Sequence, residues 1–203
     1  MKSVLISINP KWCELIASGE KTVEVRKTKP KLKTPFKAYI YCTDEKGRAF
    51  FTKGENGNYA PARLGNRKII GEFVCDKIYD ITPHFDTPTF PNQYICGWDY
   101  GKEFDCLSFE ELTSYLNGKK GYGWHITDLV VYDKPRELSE FYTEGDCDCM
   151  NCKKCYWFDR GNGYNVENDC NLAYKCVELH KSFKPIIRPP QSWCYVKGGE
   201  TDA

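Results

Sequence analysis

Residues 9–26 combine the markers of a short helix with those of a strand, and this junction constrains the fold more than any other segment. Asn9 is a typical N-cap, Pro10 suits the first helical position, and Gly19 suits the left-handed residue after the last turn. The sequence therefore predicts one helix from Asn9 to Gly19. Its apolar stripe, which would pack against a sheet, consists of Trp12, Leu15 and Ile16.

After this helix the hydrophobic period changes to two. Val23 and Val25 alternate with polar residues, which predicts a strand with one face toward the core. The polar residues here are candidate ligand contacts: Lys21, Thr22, Glu24 and Arg26. The alternative interpretation is a solvated strand face carrying one or two weak ion pairs.

A second strand contains an isolated acid. Residues 69–74 are hydrophobic apart from Gly71 and Glu72. Because an unpaired buried carboxylate is costly, Glu72 needs a partner. Lys21 and Arg26 are candidates for that role, although the sequence does not show that these residues meet.

These segments resemble the ASCH domain. The resemblance rests on LISINP at residues 5–10, GEKTVEVR at residues 19–26 and IGEF at residues 70–73. It extends to GWHITDL at 123–129 and RPPQSWCY at 188–195, which look like signatures of a longer, cysteine-bearing subgroup of bacterial and phage ASCH proteins. The resemblance implies a PUA-like β-barrel that binds RNA.

One branch of that family removes the acetyl group from 4-acetylcytidine with a lysine, a threonine and a glutamate. By motif position, Lys21 matches the lysine and Glu72 matches the glutamate, so these two are the candidate catalytic residues if the chain is an enzyme. Glu24 occupies the threonine position, and Thr22 lies two residues earlier. A hydroxyl nucleophile needs an adjacent base, and a carboxylate cannot simply replace it in acyl transfer. Binding is therefore favoured over catalysis.

The predicted function is thus an RNA- or nucleotide-binding module that recognises a base and a phosphate in a charged pocket at the barrel mouth. The alternative is an amidohydrolase acting on an acylated nucleoside such as 4-acetylcytidine. A regulator that acts through protein contacts also stays open. Trp124 and His125 are further candidate ligand contacts, through stacking or hydrogen bonding to a base, but core roles suit them at least as well.

Overall charge does not indicate a protein that coats nucleic acid. The chain has 203 residues, a formal net charge of +1 and a pI near 7.4. Any such contact must therefore be local. Residues 21–37 carry seven lysines and arginines against one acid, Glu24, and this basic run can hold phosphates or form an ordinary solvated loop.

The first eight residues are too short for a signal or membrane-spanning segment, so we expect a cytoplasmic protein without membrane contact. In a reducing compartment structural disulfides are rare, which decides how the twelve cysteines are interpreted. Five lie among apolar residues and are expected to behave as small hydrophobic side chains: Cys13, Cys42, Cys75, Cys96 and Cys106.

The remaining cysteines are Cys147, Cys149, Cys152, Cys155, Cys170, Cys176 and Cys194. Two pairs separated by a loop suggest a structural four-thiolate zinc site, for which we favour Cys152, Cys155, Cys170 and Cys176. The spacing of the second pair is too long for the usual motif, and Cys147 or Cys149 can substitute. A metal-free cysteine-rich loop, or oxidised pairs, is the alternative.

The remaining patterns predict an α+β protein with a small PUA-like β-barrel, flanking helices and a cysteine-rich, zinc-stabilised C-terminal insertion. Strands are expected at residues 36–43, 69–79, 126–132 and 192–196, and a capping box predicts a helix from Ser108. The predicted organisation is a barrel domain at 1–143, a zinc-binding segment at 144–185, and a closing strand and tail at 186–203.

Overall fold

The computed structural model of the chain describes residues 3–53, 59–84, 93–97, 105–145 and 182–197. Its helices are α1 (Pro10–Ala17), α2 (Phe109–Leu116) and the 3-10 helix η1 (Leu138–Glu140). Its strands are β1 (Ser3–Ile8), β2 (Val23–Arg26), β3 (Phe36–Cys42), β4 (Phe51–Lys53), β5 (Tyr59–Leu64), β6 (Lys68–Cys75), β7 (Ile78–His84), β8 (Gln93–Cys96), β9 (Gly121–His125), β10 (Thr127–Arg136), β11 (Tyr142–Gly145), β12 (Ser182–Pro185) and β13 (Trp193–Val196).

Two larger sheets organise these elements. The five-stranded sheet has the order β10-β6-β3-β1-β13, in which β1 and β3 are parallel and the other neighbours are antiparallel. The four-stranded sheet is antiparallel, in the order β2-β9-β7-β8. Strands β4 and β5 form a separate pair, as do β11 and β12. The described part of the chain is therefore a mixed α and β structure.

The main core lies between the two sheets. Ile6, Ile40 and Phe73 from the five-stranded sheet share one buried cluster with Trp124 from the four-stranded sheet. Cys13 of α1 belongs to the same cluster, so this helix covers one end of the core. Such layering buries the apolar face of each sheet against another element, which is the main driving force for the arrangement.

The other face of each sheet is also covered. On the five-stranded sheet, Tyr39 packs with Phe141 in a second buried cluster. On the four-stranded sheet, Val23 and Val25 pack with Leu112 of α2. Both faces of β2 are consequently buried, a point on which the candidate site depends.

Both predicted helices are confirmed. The side chain of Asn9 accepts a hydrogen bond from the Lys11 backbone N–H at 3.0 Å, and Gly19 has the left-handed φ of 80° that the sequence predicts. In α2, Ser108 and Glu111 make both hydrogen bonds of a capping box.

The expected strand at residues 69–79 is wrong as a single element. It is divided into β6, which pairs with β3, and β7, which pairs with β9 in the other sheet. The exposed residues Asp76 and Lys77 separate the two strands, because the chain crosses there from one sheet to the other. The expected strands at 36–43, 126–132 and 192–196 correspond to β3, β10 and β13.

The expected closed barrel is not formed by the described residues. Their strand pairing leaves β10 and β13 as the edges of the five-stranded sheet, and β2 and β8 as the edges of the four-stranded sheet. The two sheets pack through side chains instead of continuing into one another by hydrogen bonds. None of the described helices is long and apolar enough to cross a membrane.

Three of the five cysteines that we expected to behave as small hydrophobic side chains are buried. Cys13, Cys42 and Cys75 are buried, and burial raises the pKa of the Cys75 thiol to about 12. Cys96 and Cys106 are only partly buried. The proposed zinc ligands Cys152, Cys155, Cys170 and Cys176, together with most of the segment at 144–185, lie outside the described residues. The zinc site and the domain boundaries therefore stay predictions.

Candidate ligand-binding cavity

A cavity of about 930 Å³ opens where α1, β2, α2 and residues 189–191 meet. Its wall contains three of the predicted site residues, Lys21, Glu24 and Arg26. The residues around them include two aromatic rings and a proline, which are Trp12, Tyr115 and Pro190. The cavity thus combines charged groups with flat apolar surface, a common composition for small-molecule sites.

The three charged side chains form one buried cluster. Lys21 is 2% exposed, Glu24 5% and Arg26 8%. The Glu24 carboxylate lies 3.0 Å from the Arg26 guanidinium and 3.5 Å from the Lys21 ammonium. The interpretation of these residues as a solvated strand face is therefore wrong. Glu24 and Arg26 lie on the face of β2 opposite Val23 and Val25, and both faces are covered.

The hydrogen-bonding capacity of Lys21 is largely used within the protein. Its ammonium group donates to the backbone carbonyls of Val23, at 2.8 Å, and of Asp105. The remaining direction faces Glu24. An ammonium group has three donors, so two of them are used in hydrogen bonds to the backbone and the third is left for the ion pair with Glu24. Lys21 is consequently held in a fixed position beside Glu24 and links β2 to the chain before α2.

Arg26 connects the two sheets. One of its terminal nitrogens, Nη2, donates to the Ser7 carbonyl of β1 at 2.5 Å and also contacts Glu24. Its Nε atom is buried and has no hydrogen-bond partner among the described residues. Tyr115 of α2 lies near this cluster: burial raises the pKa of its hydroxyl, Arg26 lowers that pKa and Glu24 raises it.

The cluster has a formal charge of +1, because two cations surround one carboxylate. Asp105 adds a fourth ionisable group nearby. Burial raises the pKa of its carboxyl, while the Leu107 backbone N–H, which donates at 3.1 Å, and the charge of Lys21 lower it. Asp105 lies 84 residues after Lys21, and no local pattern marks it as part of the site.

Glu72 is not brought to this cavity. Its carboxylate accepts hydrogen bonds from Lys37 at 2.7 Å and from the Tyr132 hydroxyl at 2.5 Å. It lies on the side of the five-stranded sheet that carries Tyr39, whereas Phe73, the next residue, faces the main core. The partner that this carboxylate needs is therefore Lys37, and not Lys21 or Arg26.

Three further candidates are absent from the described lining of the cavity. Trp124 is fully buried in the main core, where its ring meets Phe36 edge to face, so neither face is open to a base. His125 lies 2.7 Å from Asp76 through Nδ1. Thr22 is half-buried just before β2.

Several lining residues were not predicted. Tyr115 belongs to the apolar stripe of α2 and Trp12 to that of α1, so each reads in sequence as a core residue. Pro190 lies within the closing motif RPPQSWCY, which contributes to the family resemblance but predicts no ligand contact. That motif was the available signal, because it joined this segment to the same family as residues 19–26.

No protein-family model matches the chain, and no curated protein matches it. Solved structures do match. Those that match include ASCH structures from Zymomonas mobilis. The chain is 19% identical to one, with a TM-score of 0.43 over 96% of this chain and 87% of that chain. A mutant of that protein gives 18% identity and a TM-score of 0.43, over 97% and 91% of the two chains. The family of these structures is the one that the sequence motifs resemble.

Proposed function

We propose that the chain is a binding module that takes a nucleotide of RNA, or a free nucleotide, into the cavity beside Lys21, Glu24 and Arg26. The observation that carries this proposal is the burial of all three charges at the wall of an open cavity. Removing charges from water costs free energy that their mutual attraction often fails to offset. A fold rarely needs such a cluster for stability, whereas a ligand site uses it for orientation.

The chemistry of the cluster suits a base better than an apolar ligand. A carboxylate has about four lone-pair sites, and the contacts with Lys21 and Arg26 leave some of Glu24's acceptor capacity for the amino or imino group of a base. The rings of Trp12 and Tyr115 add aromatic surface to the wall, with Lys21 at 5.1 Å from the Trp12 ring centroid and Lys27 at 4.9 Å from the Tyr115 ring centroid. The net positive charge favours a phosphate at the same site.

Binding is favoured over hydrolysis by two contacts. Two donors of Lys21 are engaged by the backbone carbonyls of Val23 and Asp105 and its charge is paired with Glu24, so we infer that this lysine does not activate a nucleophile. Glu72, the other residue of the hydrolytic alternative, is paired with Lys37 and is not part of the described lining. The sequence resemblance to ASCH proteins, which implies RNA binding, supports the same choice.

A steric block tests this proposal without disturbing the buried charges. Ser114 is exposed on α2 and lines the cavity, so Ser114→Trp should place an indole ring in it and obstruct a ligand. Phe109 is half exposed on the same helix and is not in the described lining, which makes Phe109→Trp a matched control. Calorimetric titration with the four nucleoside monophosphates should show binding that Ser114→Trp abolishes and Phe109→Trp retains.

Binding that survives Ser114→Trp would place the ligand elsewhere and contradict the proposal. The hydrolytic alternative needs its own assay, in which the protein is incubated with 4-acetylcytidine and released cytidine is measured. We expect no release. Turnover that is lost in Lys21→Ala would instead establish the enzyme.

A further inference from the structure

The segment that follows β2 is strongly basic and exposed. Lys27, Lys29, Lys31 and Lys33 alternate with other residues, and all four are exposed. No acidic residue occurs between Lys27 and Thr43. The formal charge of +4 within seven residues is concentrated here, although the whole chain carries only +1.

This basic segment is held by the last described strand. The indole N–H of Trp193 donates to the Thr28 hydroxyl at 2.9 Å. Three residues later, the Lys31 backbone N–H donates to the Tyr195 hydroxyl at 2.7 Å. Because these contacts fix the loop through both a side chain and the main chain, its lysines need less ordering when a ligand binds.

The same two segments begin at the cavity. Arg26, just before the lysines, and residues 189–191, just before β13, both line it. Ser7 joins them, because its carbonyl accepts from Arg26 and its hydroxyl donates to the Pro190 carbonyl at 2.7 Å. The basic segment, residues 27–33, and the aromatic segment, residues 193–195, therefore leave the cavity side by side.

We propose that residues 27–33 and 193–195 form a track for the single-stranded nucleic acid whose terminal or flipped nucleotide occupies the cavity. This inference rests on the proposed function and extends it from one nucleotide to a strand. The lysines would contact successive phosphates, and the ring of Tyr195, which is 37% exposed, would stack on a base. A row of exposed lysines beside the exposed ring of Tyr195 can meet both the phosphates and a base of a strand, whereas an acidic polypeptide offers only charges.

The length of the track sets the size of the binding site. The two segments run together as far as the contact between Lys31 and Tyr195, which lie five residues after Arg26 and five residues after Pro190, respectively. A chain of that length spans at most about 17 Å. At about 3.4 Å for each stacked nucleotide, this corresponds to about five nucleotides. Affinity should therefore rise with strand length up to about that size and then level off.

The first experiment measures binding of oligouridylates from one to eight nucleotides by fluorescence anisotropy, at several salt concentrations. The affinity of the wild-type protein should rise through about five nucleotides. Its dependence on salt should also steepen with length, because each phosphate contact on a single strand contributes about −0.7 to the logarithmic slope. An octamer that binds no more tightly than the monophosphate would overturn the track and leave the cavity proposal intact.

The second experiment compares two triple variants. Lys29→Ala, Lys31→Ala and Lys33→Ala remove the track lysines. Lys46→Ala, Lys77→Ala and Lys134→Ala remove the same charge from exposed positions elsewhere. The track variant should lose at least about tenfold in octamer affinity and reduce the salt slope by about 2, while uridine monophosphate binding stays unchanged. An equal loss in the control variant would overturn the track.

The stacking role proposed for Tyr195 has a matched control as well. Tyr195 and Tyr142 are each 37% exposed. Tyr195→Ala should weaken octamer binding about tenfold, Tyr195→Phe should retain most of it, and Tyr142→Ala should not change it. Octamer binding that depends on the lysines but survives Ser114→Trp, with no monophosphate binding, would support the track and reject the cavity. Polyglutamate binding as tight as that of the octamer would reject a nucleic-acid track.

Discussion

Neutralising Glu24 should destabilise the protein far more than breaking an exposed ion pair. In Glu24→Gln the two cations at 3.0 and 3.5 Å lose the carboxylate between them, and the formal charge of the buried cluster rises from +1 to +2. Removing one partner of a buried ion pair typically costs about 3–5 kcal/mol. Because all three side chains are at most 9% exposed, water screens this repulsion very little.

Glu111→Gln provides the control. Glu111 pairs with Lys11 at 2.8 Å, but the Glu111 side chain is 42% exposed and the Lys11 side chain 40%. Glutamine can keep the capping-box contact with Ser108, so this substitution removes mainly the ion pair. An exposed pair is worth at most about 1 kcal/mol.

The assay is urea denaturation followed by circular dichroism at pH 7, with thermal melting as a second readout. For a chain of 203 residues, 3–5 kcal/mol corresponds to a fall in Tm of about 6–20 °C. In the double variant Glu24→Gln with Lys21→Met, the cluster returns to +1. Its loss of stability should therefore be smaller than the sum of the two single losses, by about 1–3 kcal/mol.

A Glu24→Gln variant that is no less stable than Glu111→Gln would refute this reasoning. It would mean that water in the open cavity screens the cluster, so that the three charges do not behave as a buried unit. Strictly additive losses in the double variant would refute the coupling between Lys21 and Glu24.

Three other predictions follow from particular contacts. Burial raises the pKa of Glu72, but the hydrogen bonds from Lys37 and Tyr132 outweigh it, and the net pKa is below its ordinary value. The stabilisation is therefore present above the unfolded pKa of about 4.3 and is lost as pH falls through the folded pKa. Tyr132→Phe removes the hydrogen bond to the Glu72 carboxylate and should cost about 1 kcal/mol at pH 7, which is less than for a fully buried bond to a charge because Glu72 is partly exposed. The difference in the free energy of unfolding between this variant and the wild type should narrow below about pH 4 in urea titrations. Gly71→Ala should destabilise by about 1–3 kcal/mol, because the added Cβ would lie 2.4 Å from the Val130 carbonyl, a backbone atom, in a pair of neighbouring strands. Gly97→Ala, whose nearest contact would be at 3.5 Å, should change the free energy of unfolding by less than about 0.5 kcal/mol. Finally, elemental analysis should find one zinc per chain, and Cys152→Ser or Cys170→Ser should lower that content, whereas metal-free protein with an unchanged fold would remove the predicted site.

The sequence determined the local elements because their signals are local. Asn9, Pro10 and Gly19 mark the ends of α1, and Ser108 with Glu111 marks the start of α2. Each of these residues acts on backbone groups within about one helical turn, so no distant contact is needed to interpret it. The predicted strands at β3, β10 and β13 follow from hydrophobic patterns of the same short range.

The sequence also identified Lys21, Glu24 and Arg26 as candidate ligand contacts, but it could not decide whether they were buried. Alternation along β2 predicts one polar face, and a polar face is ordinarily solvated. Only the packing of α2 on one side and of the five-stranded sheet on the other covers both faces. Burial of a strand depends on what lies across from it, and that information is distributed over the whole chain.

Glu72 shows the same limit, because the sequence indicates that this residue needs a partner but not which residue the partner is. The sequence correctly required a partner for this acid, since a buried carboxylate is costly alone, but it offered Lys21 and Arg26 where the structure provides Lys37 and Tyr132. The choice depends on the register between β3 and β6 and on which face of the sheet each residue occupies. A one-residue change in register would reverse every face, so pairing partners are decided by tertiary structure and the need for a partner by the sequence.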